Sequence, residues 1–183
     1  FIYLAPANAG DLCLCAFGVQ NTNQRQFFSS MTIDGFTYVR NGIKMGYPFI
    51  QSIQSILPLV DNVFVAVGDS TDGTRELIES LNNPKIHIID TVWDNEKRAN
   101  GEIFREQSNI GLERVKGDWC FHIQADEVIH EDAYEEIRKS IELADKQEDV
   151  DGVLFPFLHF WGDYQHIRNT RRTHAFEIRA FKN

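Results

Sequence analysis

Two polar segments of this sequence, each placed directly after an apolar run, carry side chains suited to binding a charged ligand. Residues 68–74 form the loop GDSTDGT, and the residues from Gln124 to Glu127 include the adjacent carboxylates of Asp126 and Glu127. Adjacent carboxylates beside an apolar segment are costly unless they are solvated or bind a cation. Hard oxygen ligands suit Mg²⁺ or Mn²⁺, whose other ligands are phosphate oxygens and water. The pattern indicates a cation and phosphate site, and a plain turn with a helix cap is the alternative.

The two aspartates of the 68–74 loop predict different roles. Asp72 lies just before a predicted helix, where its carboxylate can accept hydrogen bonds from the free N–H groups of the first turn. Asp69 lies nearer the preceding strand, where it can accept a hydrogen bond from a ligand, and an ionised acceptor strengthens such a bond. We therefore expect Asp72 to cap the helix or contact the ligand, and Asp69 to contact the ligand.

The segments that position these loops alternate between strand and helix patterns. Strands are predicted at Phe36–Val39, 62–67, 86–89, 119–123 and 153–157, and helices at 47–57, 74–81, 101–115 and 131–146. Such alternation predicts an α/β fold with a largely parallel sheet flanked by helices. Ligands of open α/β sheets bind beyond the carboxyl ends of the strands. This rule selects Val39-Arg40-Asn41 as a third segment of the same site.

Composition excludes several function classes. The 183 residues carry 18 Lys and Arg against 27 Asp and Glu, a formal charge of −9, which argues against a general nucleic-acid binder. No stretch reaches the roughly 18 apolar residues of a membrane-spanning helix.

The polar residues 20–30 predict a domain boundary near Met31. Residues 1–30 are then a leader outside the domain or a short element packed on it, and residues 31–183 form the domain. Because the chain begins with Phe1, we expect a fragment or a processed product.

The quoted motifs, together with the segments 85–94 and 106–119, resemble a family 2 glycosyltransferase of the GT-A fold, truncated at the C-terminus. The resemblance implies transfer of a sugar from a nucleotide-diphosphate sugar to an unknown sugar or lipid-linked acceptor, with Mn²⁺ or Mg²⁺ as cofactor. It also implies a role in cell-envelope polysaccharide synthesis and a cytoplasmic location, peripheral to the inner face of the membrane in one alternative. The implied nucleotide-sugar site comprises Val39, Arg40, Asn41, Asp69, Asp72, Gln124 and Asp126. Asp126 is the implied metal ligand, with Glu127 as a second possibility.

The sequence departs from the family pattern at two places. The usual loop DDGSTDGT has a base-binding carboxylate at one of its first two positions, but Val67 and Gly68 occupy them here. The acidic motif, which usually begins with Asp, begins with Gln124, whose amide can bind a hydroxyl but supplies no charge. These departures keep an alternative open, namely a non-catalytic GT-A module that binds a sugar nucleotide or a partner.

The catalytic base is not identified by any motif. In the inverting members of the family a carboxylate downstream of the metal motif deprotonates the acceptor, and Asp163 and Glu177 are the candidates here. The segment 164–183 is basic, and Arg171 or Arg172 could bind the diphosphate or a charged acceptor through the planar guanidinium group. A solvated basic surface is the equal alternative for this segment.

Overall fold

The computed structural model describes residues 2–4, 31–168, 170 and 175–183. The strands are β1 (Ile2–Leu4), β2 (Ile33–Val39), β3 (Asn62–Val67), β4 (Ile86–Asp90), β5 (Trp119–His122), β6 (Glu127–Ile129), β7 (Gly152–Trp161), β8 (Asp163–Ile167) and β9 (Phe176–Lys182). The helices are α1 (Gly42–Met45), α2 (Phe49–Ile56), α3 (Thr74–Glu79), α4 (Glu102–Leu112) and α5 (Tyr134–Asp145), with 3₁₀ turns at Asn95–Gly101 and Glu131–Ala133. Every predicted strand and helix is present, with ends shifted by a few residues.

One sheet has the strand order β4-β3-β2-β5-β9-β7-β1-β6, and β8 pairs with β7. Strands β4, β3, β2 and β5 are mutually parallel. Strand β9 is antiparallel to both β5 and β7, whereas β1 is antiparallel to β7 and parallel to β6. The predicted α/β class, with a parallel sheet flanked by helices, is confirmed.

Strands β2, β3 and β5 are largely buried because helices cover both faces. On β3, Val63, Val65 and Val67 contribute to a core with the apolar sides of α2, α3 and α5. On the opposite face Phe36 contacts α4, where a Cβ at Gly111 would lie 3.1 Å from it. Burial on both faces explains the nearly continuous apolar sequence of β3.

Strand β9 lies in the middle of the sheet, where the sequence analysis predicted only a basic segment. Its residues Arg179 and Ala180 are buried, while Phe176 and Ile178 are exposed. Apolar Phe176 and Ile178 alternate with charged Glu177 and Arg179 as in a strand, but the arginine lies on the buried side, so the pattern does not indicate a central strand. Residues 171–174, including Arg171 and Arg172, lie outside the described residues.

The predicted boundary at Met31 falls where the description of the chain resumes. Residues 2–4 of the predicted leader form β1, and residues 5–30 lie outside the described residues. The boundary therefore stays a prediction. Within the described ranges, no helix combines the length and the apolar character needed to cross a membrane.

Candidate functional site

The carboxyl ends of β2 and β3 are joined by hydrogen bonds between the loops that follow them. Gly68 N donates to the carbonyl oxygen of Val39 at 2.9 Å. Asn41 N donates to Ser70 Oγ at 2.9 Å, and Asn41 Oδ1 accepts from Thr71 N at 3.0 Å. Asn41 adopts a left-handed conformation with φ 51°, which asparagine tolerates better than most residues. The two loops therefore form one continuous edge of the sheet.

A cleft of about 340 Å³ opens along this edge and extends to the end of β5. We call this cleft the rim cleft. It is lined by Tyr38, Val39, Arg40, Asn41, Met45, Tyr47, Trp93, Phe104, Gln124, Ala125 and Asp126. Five of the seven predicted nucleotide-sugar residues therefore lie together. Asp69 and Asp72 are not among the lining residues.

Asp126 projects into the rim cleft from the turn that follows β5. Its carboxylate makes no hydrogen bond or ion pair with any of the described residues, although all other predicted acidic site residues do. Three or more His, Cys, Asp or Glu side chains grouped to hold a metal are absent from the described part of the chain. An unpartnered carboxylate fits a cation that takes its remaining ligands from phosphate oxygens and water. The residues present therefore fit Mg²⁺ or Mn²⁺ bound together with a diphosphate.

Glu127, the possible second metal ligand, lies beneath the cleft rather than in it. Its side chain is fully buried, and its carboxylate forms a two-pronged ion pair with Arg179, with 2.9 Å between Arg179 Nε and Glu127 Oε2. Glu127 Oε2 also accepts a hydrogen bond from Gln124 N at 3.0 Å. With both oxygens engaged, this arrangement does not favour Glu127 as a metal ligand.

Asp69 contacts the protein through an arginine that lines the cleft. Arg40 Nη2 donates to Asp69 Oδ2 at 3.0 Å, Arg40 Nε lies 2.9 Å from Oδ1, and Oδ1 also accepts from Trp93 N at 3.2 Å. Arg40 Nη1 donates to Asn95 Oδ1 at 2.8 Å, and its guanidinium lies 5.8 Å from the centre of the Trp93 ring. Asp69 therefore orients Arg40 and Trp93, which themselves line the cleft.

Asp72 binds the start of α3, as its position predicted, although the N-cap residue itself is Gly73. Its Oδ1 accepts from Thr74 N at 3.1 Å and from the Thr74 hydroxyl at 2.6 Å, and its Oδ2 accepts from Lys44 N at 2.8 Å. Partial burial raises the pKa of this carboxyl, but the bonds from Thr74 and Lys44 outweigh it and hold the pKa below its usual range. Asp72 thus ties the start of α3 to α1.

Neither predicted catalytic base faces the rim cleft. Asp163 is exposed on β8, where its Oδ1 lies 2.7 Å from His166 Nδ1 and accepts from Gln165 N at 2.8 Å. Glu177 forms an ion pair with Arg179, with 2.6 Å between Oε2 and Nη2. Among the described lining residues, Asp126 is the one carboxylate of the cleft.

Three aromatic residues form a wall of the cleft that the sequence analysis missed. The ring centres of Tyr38, Trp93 and Phe104 lie 5.8 to 6.2 Å apart. Trp93 packs on Gly68, where a Cβ would lie 2.6 Å from the indole nitrogen. Trp93 follows the end of β4 by three residues, so the same strand-end rule could have found it. The Trp93 indole ring therefore packs directly over Gly68, at a position where the family usually has a carboxylate.

A larger apolar groove of about 870 Å³ adjoins the rim cleft, with Tyr47 lining both. Its described lining residues include no charged side chain. They are Gly42, Ile43, Gly46, Tyr47, Pro48, Phe49, Ile50, Gln51, Leu77, Val128, Phe160 and Tyr164. An uncharged groove of this size beside a charged cleft suits an apolar ligand.

The sequence profile of the family described as glycosyl transferase family 2 matches residues 39–182. No protein of curated function matches the chain at a significant level. The match spans β3 to β9 and includes every residue that lines the rim cleft except Tyr38.

Three solved structures are similar to parts of the chain. Staphylococcus aureus TarS 1–349 in complex with UDP is 19% identical with a TM-score of 0.47, over 63% of this chain and 33% of that one. A mannosyltransferase from Pyrobaculum calidifontis in complex with GDP-Man and Mn²⁺ is 16% identical with a TM-score of 0.47, over 68% and 35%. Glucosyl-3-phosphoglycerate synthase from Mycobacterium tuberculosis in complex with UDP is 19% identical with a TM-score of 0.44, over 68% and 43%. The chain spans about a third of the first two structures.

Proposed function

Since the chain belongs to glycosyl transferase family 2 and has an α/β sheet of the GT-A type, we propose that it transfers a sugar from a nucleoside-diphosphate sugar to an acceptor hydroxyl. The observation that carries this proposal is the unpartnered Asp126 carboxylate, which lies in one cleft with Arg40, Asn41 and Gln124. These residues come from the ends of two strands and are far apart in the sequence. Their convergence supports a site for a nucleotide and a charged diphosphate.

The aromatic end of the rim cleft fits the nucleotide base. Tyr38, Trp93 and Phe104 offer ring faces and edges, and bases stack well on aromatic side chains. Asp69 is paired with Arg40, so in this proposal it holds Arg40 and Trp93 in place instead of binding the base itself. A different mode of base recognition is consistent with Val67 and Gly68 standing where the family usually has a carboxylate.

The part of the cleft around Asp126, Gln124 and Arg40 fits the diphosphate and the reacting sugar. When bound, Mn²⁺ or Mg²⁺ would neutralise the charge that develops on the leaving diphosphate. Asp126 would hold that cation, and Arg40 would add the one positive side chain among the described lining residues. The Gln124 amide can donate to a sugar or ribose hydroxyl. These side chains bind and orient the donor, whereas the base that deprotonates the acceptor is not assigned to a residue.

The apolar groove supports a position for the acceptor. It adjoins the rim cleft at Tyr47, and Val128 in its wall is two residues from Asp126. An acceptor hydroxyl entering from this groove would meet the donor near Asp126. Of the two acceptor classes implied by the sequence, the uncharged lining favours a lipid-linked one, because transfer of an aliphatic chain out of water lowers the free energy.

The proposal is tested by nucleotide binding to this chain with and without Mn²⁺. Isothermal titration with UDP, GDP, ADP and CDP identifies the base, and each titration is repeated in EDTA. Removal of the metal-binding carboxylate by Asp126→Ala should weaken the Mn²⁺-dependent affinity at least about 100-fold, the upper end of what loss of a supporting residue costs at metal sites. The matched control Asp163→Ala removes an exposed carboxylate outside the cleft and should leave the affinity unchanged.

Two outcomes would contradict parts of the proposal. Unchanged Mn²⁺-dependent affinity in Asp126→Ala would remove this residue from the metal site. Tight nucleotide binding without release of nucleoside diphosphate from any nucleotide sugar, with lipid-linked and free sugar acceptors present, would favour the non-catalytic module. Gln124 in place of the usual Asp is the specific observation that supports this second function.

A further inference from the structure

The turn that carries Asp126 is closed by hydrogen bonds at both ends. Glu127 N donates to the carbonyl oxygen of Gln124 at 3.0 Å, and Gln124 N donates back to Glu127 Oε2 at 3.0 Å. The Ser52 hydroxyl of α2 also donates to the Gln124 carbonyl oxygen at 2.8 Å. Gln124 is thus fixed through its N–H and its carbonyl, and Asp126 lies inside the closed turn.

The side chain that closes this turn is itself held by a residue 52 positions later. Arg179 Nε donates to Glu127 Oε2 at 2.9 Å, and Arg179 Nη2 donates to Oε1. Both side chains are buried, with exposed fractions of 6% and 0%. The guanidinium group also lies 5.1 Å from the centre of the Phe157 ring, which limits its orientation. The Glu127 carboxylate therefore cannot turn without leaving Arg179 Nε unpaired inside the protein.

The bond from Gln124 N ends on the same oxygen, Oε2, that receives Arg179 Nε. Any rotation of the Glu127 carboxylate that releases Arg179 therefore also releases Gln124 N. A metal ligand performs well only when its supporting residues hold it to within about half an ångström. A chain of contacts thus leads from Arg179 through Glu127 and Gln124 to the backbone that carries Asp126.

From these contacts we infer that Arg179 is a positioning residue for the proposed donor site: acting through Glu127, it fixes the turn 124–127 so that the Asp126 carboxylate projects into the rim cleft. The inference rests on the proposed function for its consequence, the metal-dependent binding of a nucleotide. The positioning itself is a property of the turn and is measurable without any ligand.

The test uses Arg179→Lys, which keeps the charge but cannot engage both carboxylate oxygens with a planar fork. Hydrogen exchange of the Gln124 backbone N–H, followed by NMR without ligand, should accelerate about tenfold because its acceptor, the Glu127 carboxylate, is no longer fixed. Mn²⁺-dependent nucleotide affinity should fall about 10-fold, while the affinity measured in EDTA stays at the wild-type value. This split distinguishes positioning of Asp126 from general damage to the fold, which would lower both affinities.

The matched control is Arg75→Lys, because Arg75 also pairs with two carboxylates, Asp90 and Glu79, but is far from the turn in sequence and exposed. This control should change neither the exchange of Gln124 nor the nucleotide affinity. If Arg179→Lys fails to fold, Glu127→Gln provides the second variant, since its amide oxygen can still accept from Gln124 N and Arg179 Nε, while its amide nitrogen cannot accept from Arg179 Nη2. It should show a smaller change in the same two measurements.

Wild-type exchange of Gln124 together with wild-type Mn²⁺-dependent affinity in a folded variant would overturn the inference. A parallel loss of affinity with Mn²⁺ and in EDTA would also overturn it, because the role of Arg179 would then be structural only. Failure of the wild-type chain to bind any nucleotide would instead refute the proposed function. In that case accelerated exchange of Gln124 would still show that Arg179 fixes the turn, so the two failures are distinguishable.

Discussion

In the parallel half of the sheet, formed by β2 to β5, Arg75 on α3 lies between Asp90 and Glu79, and all three side chains are exposed. In the mixed half, formed by β1 and β6 to β9, Arg179 lies between Glu127 and Glu177. Arg179 and Glu127 are buried. Each cluster has one arginine between two carboxylates. Exposed ion pairs contribute little to stability, whereas loss of one partner of a buried pair leaves an uncompensated charge.

The two halves of the sheet support the proposed site in different ways. The parallel half places Arg40, Asn41 and the 68–74 loop at the rim through exposed or half-buried hydrogen bonds between neighbouring loops. The mixed half supports the turn of Asp126 from below through a buried charge pair. We therefore expect substitutions at the buried pair of the mixed half to lower stability and metal-dependent binding together, and substitutions in the parallel half to leave the turn of Asp126 in place.

The largest expected effect is on the stability of the mixed half. Arg179→Met should lower the free energy of unfolding by about 3–5 kcal/mol, because Glu127 is left buried without its partner. Arg75→Met should leave the unfolding transition unchanged within error, since its partners are hydrated without it. Urea denaturation followed by far-UV circular dichroism measures both variants. Equal losses in the two would mean that the difference in burial does not determine the contribution of these clusters.

The second prediction concerns His122 on β5, the strand shared by the two halves. Burial, and secondarily the positive charge of Arg179, lowers the pKa of His122 from 6.5 to about 4. The unfolded chain therefore takes up this proton first as the pH falls. The stability that depends on neutral His122 is fully present above pH 6.5. As the pH falls from 6.5 to about 4, the free energy of unfolding decreases by about 3 kcal/mol for this reason.

His122→Phe provides the control for this pH dependence, because Phe keeps a ring beside Phe36, which stacks on His122 at 4.8 Å. Denaturant titrations at pH 7 and pH 4.5 should show a smaller loss of stability in the variant than in the wild type. Identical losses would place the pKa of His122 near its ordinary value and would contradict the burial argument.

The sequence predicted the parallel half well because its signals are local. The apolar run of β3 identifies a strand, and the polar loop at 68–74 identifies its end; parallel strands then bring the loops of β2, β3 and β5 to one edge. This rule places Asp126 at the same edge as the loops of β2 and β3, where the structure has it. Arg179 could not be placed in this way, because a strand that carries an arginine resembles a solvated segment, and only the pairing of β9 with β5 and β7 places that residue beside Glu127. A contact across 52 residues leaves no periodic signal in one sequence.

The third prediction concerns packing in the parallel half at Gly68. Gly68→Ala places a Cβ 2.6 Å from the Trp93 indole nitrogen and 2.9 Å from Arg40 Cβ. Overpacking of this kind costs about 1–3 kcal/mol in the free energy of unfolding. It should also weaken nucleotide binding equally with Mn²⁺ and in EDTA, because it displaces the aromatic wall and leaves the turn of Asp126 in place. The double variant with Trp93→Leu should recover part of the stability, and no recovery would mean that the contact with Trp93 is not the cause.

The smallest effect is expected at Asp72, which caps α3 at the rim of the parallel half. Asp72→Ala removes the acceptor of Thr74 N and of Lys44 N and should lower the free energy of unfolding by about 1 kcal/mol, the usual cost of losing a helix cap. Asp72→Asn keeps one side-chain oxygen as acceptor and should lose less. Because Asp72 does not line the rim cleft, neither substitution should change nucleotide affinity, as isothermal titration with Mn²⁺ would measure. A loss of affinity larger than the loss of stability would make Asp72 a ligand contact.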